Sequence, residues 1–268
     1  MENLPKSLAL SGAIEIANRL KSFSGGKILD ICTAEGDFID TLMKTLKDYD
    51  SFVGIDISKK DLEAAKKQFE NQPVEIMEMN AETLEFENGS FDTVCLSYSL
   101  HHLEKINTVL SEMKRVLKPG GCFILQEMYY DGKQTEAQKT NILHHHWDSE
   151  IDSLRGIPHN KTLTKEKIKE IVANLELKEL EIFNSTHDVK CLFCEKKFEC
   201  EPKNEEIINS CIKSIDDTLD RLKEHPDWEK IKEDPQYKKL KEESEKIKER
   251  IRKVGSASAS ILFIIGKK

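Results

Sequence analysis

No apolar run in this chain is long enough to span a bilayer; stretches such as Ile261 to Ile265 fall far short of the ~20 residues a spanning helix needs. The start, MENLPKSLAL, lacks basic residues leading into a long apolar core, so no secretory signal is expected. Excess positive charge is missing too. The net charge of −8 supplies no global basic field to favour a nucleic-acid backbone. Cysteine is present but unpaired in pattern: seven residues, an odd number, are scattered over 268 residues, a length that can bury a core without staples. Reduced thiols follow, and with them a cytoplasmic protein with neither nucleic acid nor membrane as partner. The oligomeric state is left open.

What is there is a rhythm. From Lys27 to Gln126 short apolar strands alternate with amphipathic helices. Ile28 to Ile31, Phe52 to Ile57, Val74 to Met79, Phe91 to Ser97 and Cys122 to Glu127 read as five strands. Phe38, Ile39, Leu42, Met43, Leu46 and Tyr49 form a helical stripe, and Leu62, Ala65 and Phe69 another, the latter opened by Ser58 and Asp61 as a capping box. A helix over Ile106 to Leu117 is stopped by Pro119-Gly120-Gly121. Strands joined by helices in this order demand a parallel sheet with right-handed crossovers. Beyond Glu127 the spacing predicts a helix over 134–155, a helix from Thr164 to Leu175, a strand near Glu179 to Phe183, charged helices over 190–253 and a buried final strand from Ser258 to Ile265.

The first loop, within KILDICTAEGDFID, is short of glycine. A dinucleotide fold needs glycines there because backbone must approach a pyrophosphate at a helix N-terminus. Here Glu35 and Asp37 bracket Gly36, and two carboxylates would repel a pyrophosphate. Asp37 suits the helix dipole, and a phosphate-free cofactor carrying a sulfonium or ammonium would tolerate the loop. Cys32 and Ala34 allow close backbone approach provided their φ angles stay negative. Asp56, ending the second strand, is placed to accept from ribose hydroxyls.

With MNAETLEF, NGSFDTVCLSYSLHHLEK and MKRVLKPGGCFILQE following in order, the chain resembles the class I S-adenosylmethionine-dependent methyltransferases, in particular their small-molecule branch. The resemblance covers residues 25–127 well and the strand at 257–267 plausibly, but not 128–256. It implies an α/β, Rossmann-like sheet of seven strands, six parallel and the last antiparallel, with helices on both faces, to which this chain adds helical insertions and a lid. It implies S-adenosyl-L-methionine as cofactor. Asp30 matches the acid ending the first strand, and the loop through Cys32, Ala34, Glu35 and Gly36 the cofactor loop. Asp56 matches the ribose-binding acid, Ile57 the apolar neighbour of adenine, Asn80 and Ala81 the pair at the adenine edge, and Ser97 and Tyr98 the position between methionine and acceptor. Cys32 and Ala34 replace two family glycines, and Asn80 stands where the family usually has Asp.

The domain reading that follows assigns 1–127 to the cofactor core, 128–163 to a helical acceptor or lid segment, 164–189 to a helix and strand six, 190–256 to a helical insertion, and 257–268 to strand seven. The expected activity is methyl transfer to a small molecule. Positioning and desolvation can supply most of that catalysis, and no catalytic residue is assigned; Tyr98, His101 and His145 are the candidates. In LHHHWDSEIDSLRGIPH, helical spacing puts His144 with Asp148, and His145 with Asp148 and Asp152, while His159 could return from the loop. A His/Asp metal site is conceivable there, but the spacing matches no common signature, and the plainer reading is a polar lid helix with Trp147 and Ile151 turned inward. No metal centre is expected; Cys191, Cys194 and Cys200 would be the ligands of one. Two alternatives stay open: a thiol-binding arsenite or metalloid methyltransferase using those cysteines and Cys32, and a catalytically weak cofactor-binding scaffold. An RNA or protein methyltransferase lacks the basic groove it would need, and an NAD-dependent oxidoreductase is opposed by Glu35 and Asp37. The lid is expected to combine the 134–155 helix with the charged helices.

Overall fold

The computed structural model describes residues 13–185 and 203–268. In chain order the elements are α1 (Ala13–Lys21), β1 (Lys27–Ile31), α2 (Asp37–Thr45), β2 (Ser51–Asp56), α3 (Lys59–Gln68), β3 (Val74–Glu78), β4 (Phe91–Ser97), α4 (Ile106–Val116), β5 (Leu117–Met128), α5 (Glu136–Leu154), α6 (Lys165–Ala173), β6 (Lys178–Ser185), α7 (Glu205–Lys223), α8 (Trp228–Ile231), α9 (Pro235–Val254) and β7 (Ile261–Lys267). One seven-stranded sheet runs in the order β3-β2-β1-β4-β5-β7-β6. The first five strands pair in parallel, and β7 runs antiparallel to both β5 and β6.

Alternation along the strands builds the two faces. Leu29, Val94, Leu96, Phe123, Leu125, Leu262 and Ile264 enter one apolar cluster with α4 and α6. Their neighbours Ile28, Cys95, Cys122, Ile124, Phe263 and Ile265 enter the other with α1 and α2. Period-two patterning with both faces covered is what a central parallel sheet requires. The order reverses between β1 and β4, with β2 on the far side of β1, so the carboxyl ends of these three strands meet at one crevice.

Three expectations need correction. The apolar residues of strand six suggest burial, but it is the sheet edge, with Leu180 and Ile182 about two-fifths exposed. Pro119-Gly120-Gly121 does not separate helix from strand, since β5 begins at Leu117 directly after α4 and absorbs the irregularity as a register shift against β4. Helices α7 and α9 do not roof the crevice. Their apolar faces are used against α5: Ile215, Leu222, Leu240, Ile247 and Ile251 surround Trp147 and Ile151. The Trp147 indole donates to the Leu240 carbonyl at 2.7 Å, and Arg250 pairs with Glu136. Trp147 and Ile151 do turn inward, but toward the helical insertion between β6 and β7. Helix α5 begins with a capping box, Thr135 and Gln138 bonding each other's backbone, and Gln138 also reaches the Ser258 carbonyl at 3.1 Å.

Candidate cofactor and acceptor site

The loop from β1 to α2 turns sharply, and Cys32 and Ala34 take positive φ angles of 55° and 46°, so the condition of negative φ is not met. Left-handed backbone costs a non-glycine residue about 1–2 kcal/mol, so other contacts hold the loop in place. Thr33 N–H donates to the Ile55 carbonyl at 2.9 Å, and Ala34 N–H to the Asp56 carboxylate at 3.0 Å. Gly36, at φ 94°, caps α2, and a Cβ there would come within 2.2 Å of the Phe69 ring. This glycine is required by packing as well as by backbone geometry.

Asp56 is fixed from two sides. Ala34 N–H reaches one oxygen and Ser58 N–H the other, at 2.9 Å. Two backbone donors bridging loop and strand leave the carboxylate aimed rather than free to rotate. Asp30 lies beneath the loop, almost fully buried, accepting from the Thr33 hydroxyl at 2.6 Å and the Cys95 thiol at 3.3 Å. Burial pushes its pKa up to about 7, with nearby Asp56 adding to the rise. Burial also pushes the Cys32 thiol up to about 12. Cys191, Cys194 and Cys200, invoked with it for a metal or metalloid, lie outside the described residues.

These groups line a cavity of about 990 Å³ at the carboxyl ends of β1, β2 and β4. Asp30, Cys32, Ala34, Glu35, Asp56, Ile57, Asn80, Ala81 and Ser97 all face it; Gly36 supports the loop without lining it. Ile57 is 72% exposed, an apolar side chain presented to the crevice where a flat ring could cover it. Asn80 accepts from Glu82 N–H at 2.9 Å, which orients its side chain. At the other end of the cavity stand Tyr98, Ser99, His102, Leu103, Asp152, Ile157 and Pro158. Only the last three come from beyond strand five, from the end of α5 and its following loop.

Among the catalytic candidates, Tyr98 lines the cavity, with burial and nearby Glu127 raising its phenol well above the ordinary value. His101 and His145 do not line it. They pack against His102, with ring centroids 4.3 Å and 6.3 Å away, and His102 is the imidazole that reaches the cavity. His144 turns from this group toward Asp148, whose carboxylate lies 3.3 Å from its ring nitrogen. Sequence reading passed over Glu127. It sits at the carboxyl end of β5 with no exposed surface, and accepts from Leu100 N–H, Met128 N–H and His101 Nδ1 at 2.8, 2.7 and 3.0 Å. A glutamate ending an apolar strand was the available signal.

A sheet of this order, with its cavity at the switch point and an acid fixed at the end of β2, is the class I methyltransferase fold. Residues 29–125 match the model of the methyltransferase domain family. The chain is 38% identical over 112 residues to demethylmenaquinone methyltransferase of Lactococcus lactis, covering 41% of this chain and 44% of that protein. It therefore spans less than half the length of that relative. Phosphoethanolamine N-methyltransferase 2 of Haemonchus contortus, solved with S-adenosyl-L-methionine, matches with a TM-score of 0.52 at 17% identity over 95% of this chain and 51% of that one. The [4+2]-cyclase SpnF matches with a TM-score of 0.56 at 12% identity over 94% and 78%. At these identities the likeness is of fold, and the cyclase's name shows that the fold also hosts other chemistry.

Proposed function

We propose that the protein binds S-adenosyl-L-methionine and transfers its methyl group to a small-molecule acceptor. The observation that carries this reading is Asp56, locked by two backbone N–H groups beside exposed Ile57, in a cavity whose loop bears Glu35 and Asp37 rather than a phosphate cradle. Asp56 would hold the ribose hydroxyls, Ile57 and Ala81 the faces of the adenine, and Asn80 its edge. Asp30, Ser97 and the backbone of Cys32 and Ala34 would meet the amino-acid part. When bound, the cofactor supplies an electrophilic methyl on a sulfonium. The chain's own contribution is to position the acceptor and exclude water. Tyr98 serves as a hydrogen-bond donor, and Ile157 and Pro158 close the far end of the cavity. The lid in this reading is the end of α5 and its loop, with α7–α9 bracing α5 from behind. The L. lactis relative's name supports a small-molecule acceptor, but residues beyond 125, which shape the acceptor end here, lie outside the family match.

Calorimetry with S-adenosylmethionine, S-adenosylhomocysteine and NAD tests the cofactor assignment. Binding of the first two and not the third is expected. Comparable binding of NAD would overturn the reading, as would failure of both sulfur ligands to bind.

A further inference from the structure

Three imidazoles converge beside the acceptor end of the cavity from separate parts of the chain. His101 lies on a 3-10 turn, Leu100–His102, after β4, His145 on α5, and His159 on the loop that follows α5. One ring nitrogen from each lies within 4.8 Å of the other two. Their environments determine which nitrogen that is. His101 Nδ1 lies 3.0 Å from buried Glu127, and His159 Nδ1 lies 2.8 Å from Asp152. A carboxylate accepts, so both rings donate from Nδ1, which leaves Nε2 as the nitrogen available to the cluster. Glu127 is itself held by Leu100 and Met128 N–H, and Asp152 by Arg155 at 2.9 Å. The donors are therefore braced from outside.

The third ring closes the set. His145 Nε2 lies 3.3 Å from His159 Nε2. A neutral His145 could place its one proton between these two nitrogens, but that proton cannot serve His101 as well. A cation satisfies all three. Two nitrogens bound tetrahedrally at about 2.0–2.1 Å stand roughly 3.3–3.4 Å apart, the separation seen for His145 and His159. Histidines whose second nitrogen is held by a carboxylate are the usual support of such ligands.

We infer that His101, His145 and His159 bind a divalent transition-metal ion of the zinc class, with Glu127 and Asp152 as positioning residues. Three neutral imidazoles suit zinc, cobalt or nickel far better than magnesium or calcium, which prefer oxygen. Three protein ligands leave a further coordination position. His102 and Asp152 touch the triad and line the cavity, so the ion would stand next to the acceptor. Metal binding is independent of the methyl-transfer reading; an acceptor role for the ion rests on it.

The test is metal content and affinity in the full chain, stripped with chelator and titrated with Co²⁺ and then Zn²⁺. About one Co²⁺ per chain is expected, with visible bands of low-symmetry, nitrogen-rich coordination that Zn²⁺ abolishes. His145→Ala and His159→Gln should each lower affinity at least ~100-fold, and Asp152→Asn about 10–100-fold, because it loosens a ligand without removing one. S-adenosylhomocysteine binding, or near-ultraviolet dichroism, shows that each variant is folded. Should His145→Ala fail to fold, His159→Gln and Asp152→Asn carry the test. Folded wild-type protein that takes up no stoichiometric Co²⁺ or Zn²⁺ would overturn the inference. So would uptake undiminished in His159→Gln and lost on replacing Cys191, Cys194 and Cys200 by serine.

Discussion

Asp30 and Asp56 end neighbouring strands and differ in how the chain treats their charge. Asp56 is partly open and held by two N–H donors; removing it should weaken S-adenosylhomocysteine binding by roughly 1–3 kcal/mol while leaving the fold intact. Calorimetry on Asp56→Ala checks this, and unchanged affinity would move the ribose elsewhere. Asp30 is buried, and its pKa is raised from 3.8 to about 7. A raised acid favours the folded state while protonated. That stability is complete below about pH 4 and is lost as pH rises through about 7, by a total on the order of 4 kcal/mol. Asp148 is raised in the same direction, so the difference between wild type and Asp30→Asn isolates the one group. Denaturant melts from about pH 5 to 8 should fall more steeply for wild type than for the variant. Parallel profiles would mean that the Asp30 charge is solvated. Ala34, at φ 46°, should accept glycine within about 1 kcal/mol, since relief of the left-handed strain offsets the added chain entropy. Ala34→Val, β-branched at the same φ, should cost clearly more in the same melts.

At the scale of elements, α5 joins the two halves of the molecule. One of its faces holds Trp147 and Ile151 in the cluster with α7–α9, and its end delivers Asp152, Ile157 and Pro158 to the cavity through the loop beyond it. Trp147→Ala would empty the middle of that cluster and remove the indole's hydrogen bond to the Leu240 carbonyl, and should destabilise by roughly 3–5 kcal/mol. The loss should be local. Hydrogen exchange is expected to quicken in α7 and α9 first, while β1, β4 and β5, at the centre of the sheet, keep their protection. Equal loss of protection in the sheet would show the two parts to be one cooperative unit.

For the whole molecule, the sheet core and the helical insertion are tied together through β6 and β7, because β7 pairs with β5 and β6 at once. Deleting 204–253 therefore should not simply open a lid. It would strip the cover from Trp147, Ile151 and the α5 face and expose apolar surface, so the expected outcome is aggregation or weakened acceptor-side structure. A soluble deletion variant with unaltered cofactor binding and unaltered α5 protection would contradict the bracing role. In the intact chain, S-adenosylhomocysteine at a hundred times its dissociation constant should stabilise the fold by about 2.7 kcal/mol, with NAD having no effect. Among the described residues no helix is long and apolar enough to cross a membrane.

Read from sequence alone, the alternation of strand and helix through Glu127, the acid at the end of β2, the N-cap at Ser58 and the buried last strand were all legible, because each is a local pattern of a few residues. The grouping of the candidate cofactor residues was legible for the same reason: strand ends are local, and parallel strands carry them to one edge. What only the tertiary structure decided depends on partners distant in sequence. Ile182 alternates like a buried strand residue, yet β6 became the edge because β7 inserted between it and β5. Trp147 reads as an inward residue, but which side is inward depended on where α7 and α9 packed. His101, His145 and His159 carry no shared spacing; they form a set only because the turn after β4, α5 and the loop after it are packed around Glu127 and Asp152. Period and propensity act over one or two turns of chain, whereas convergence of lone pairs at a point is a property of the folded packing.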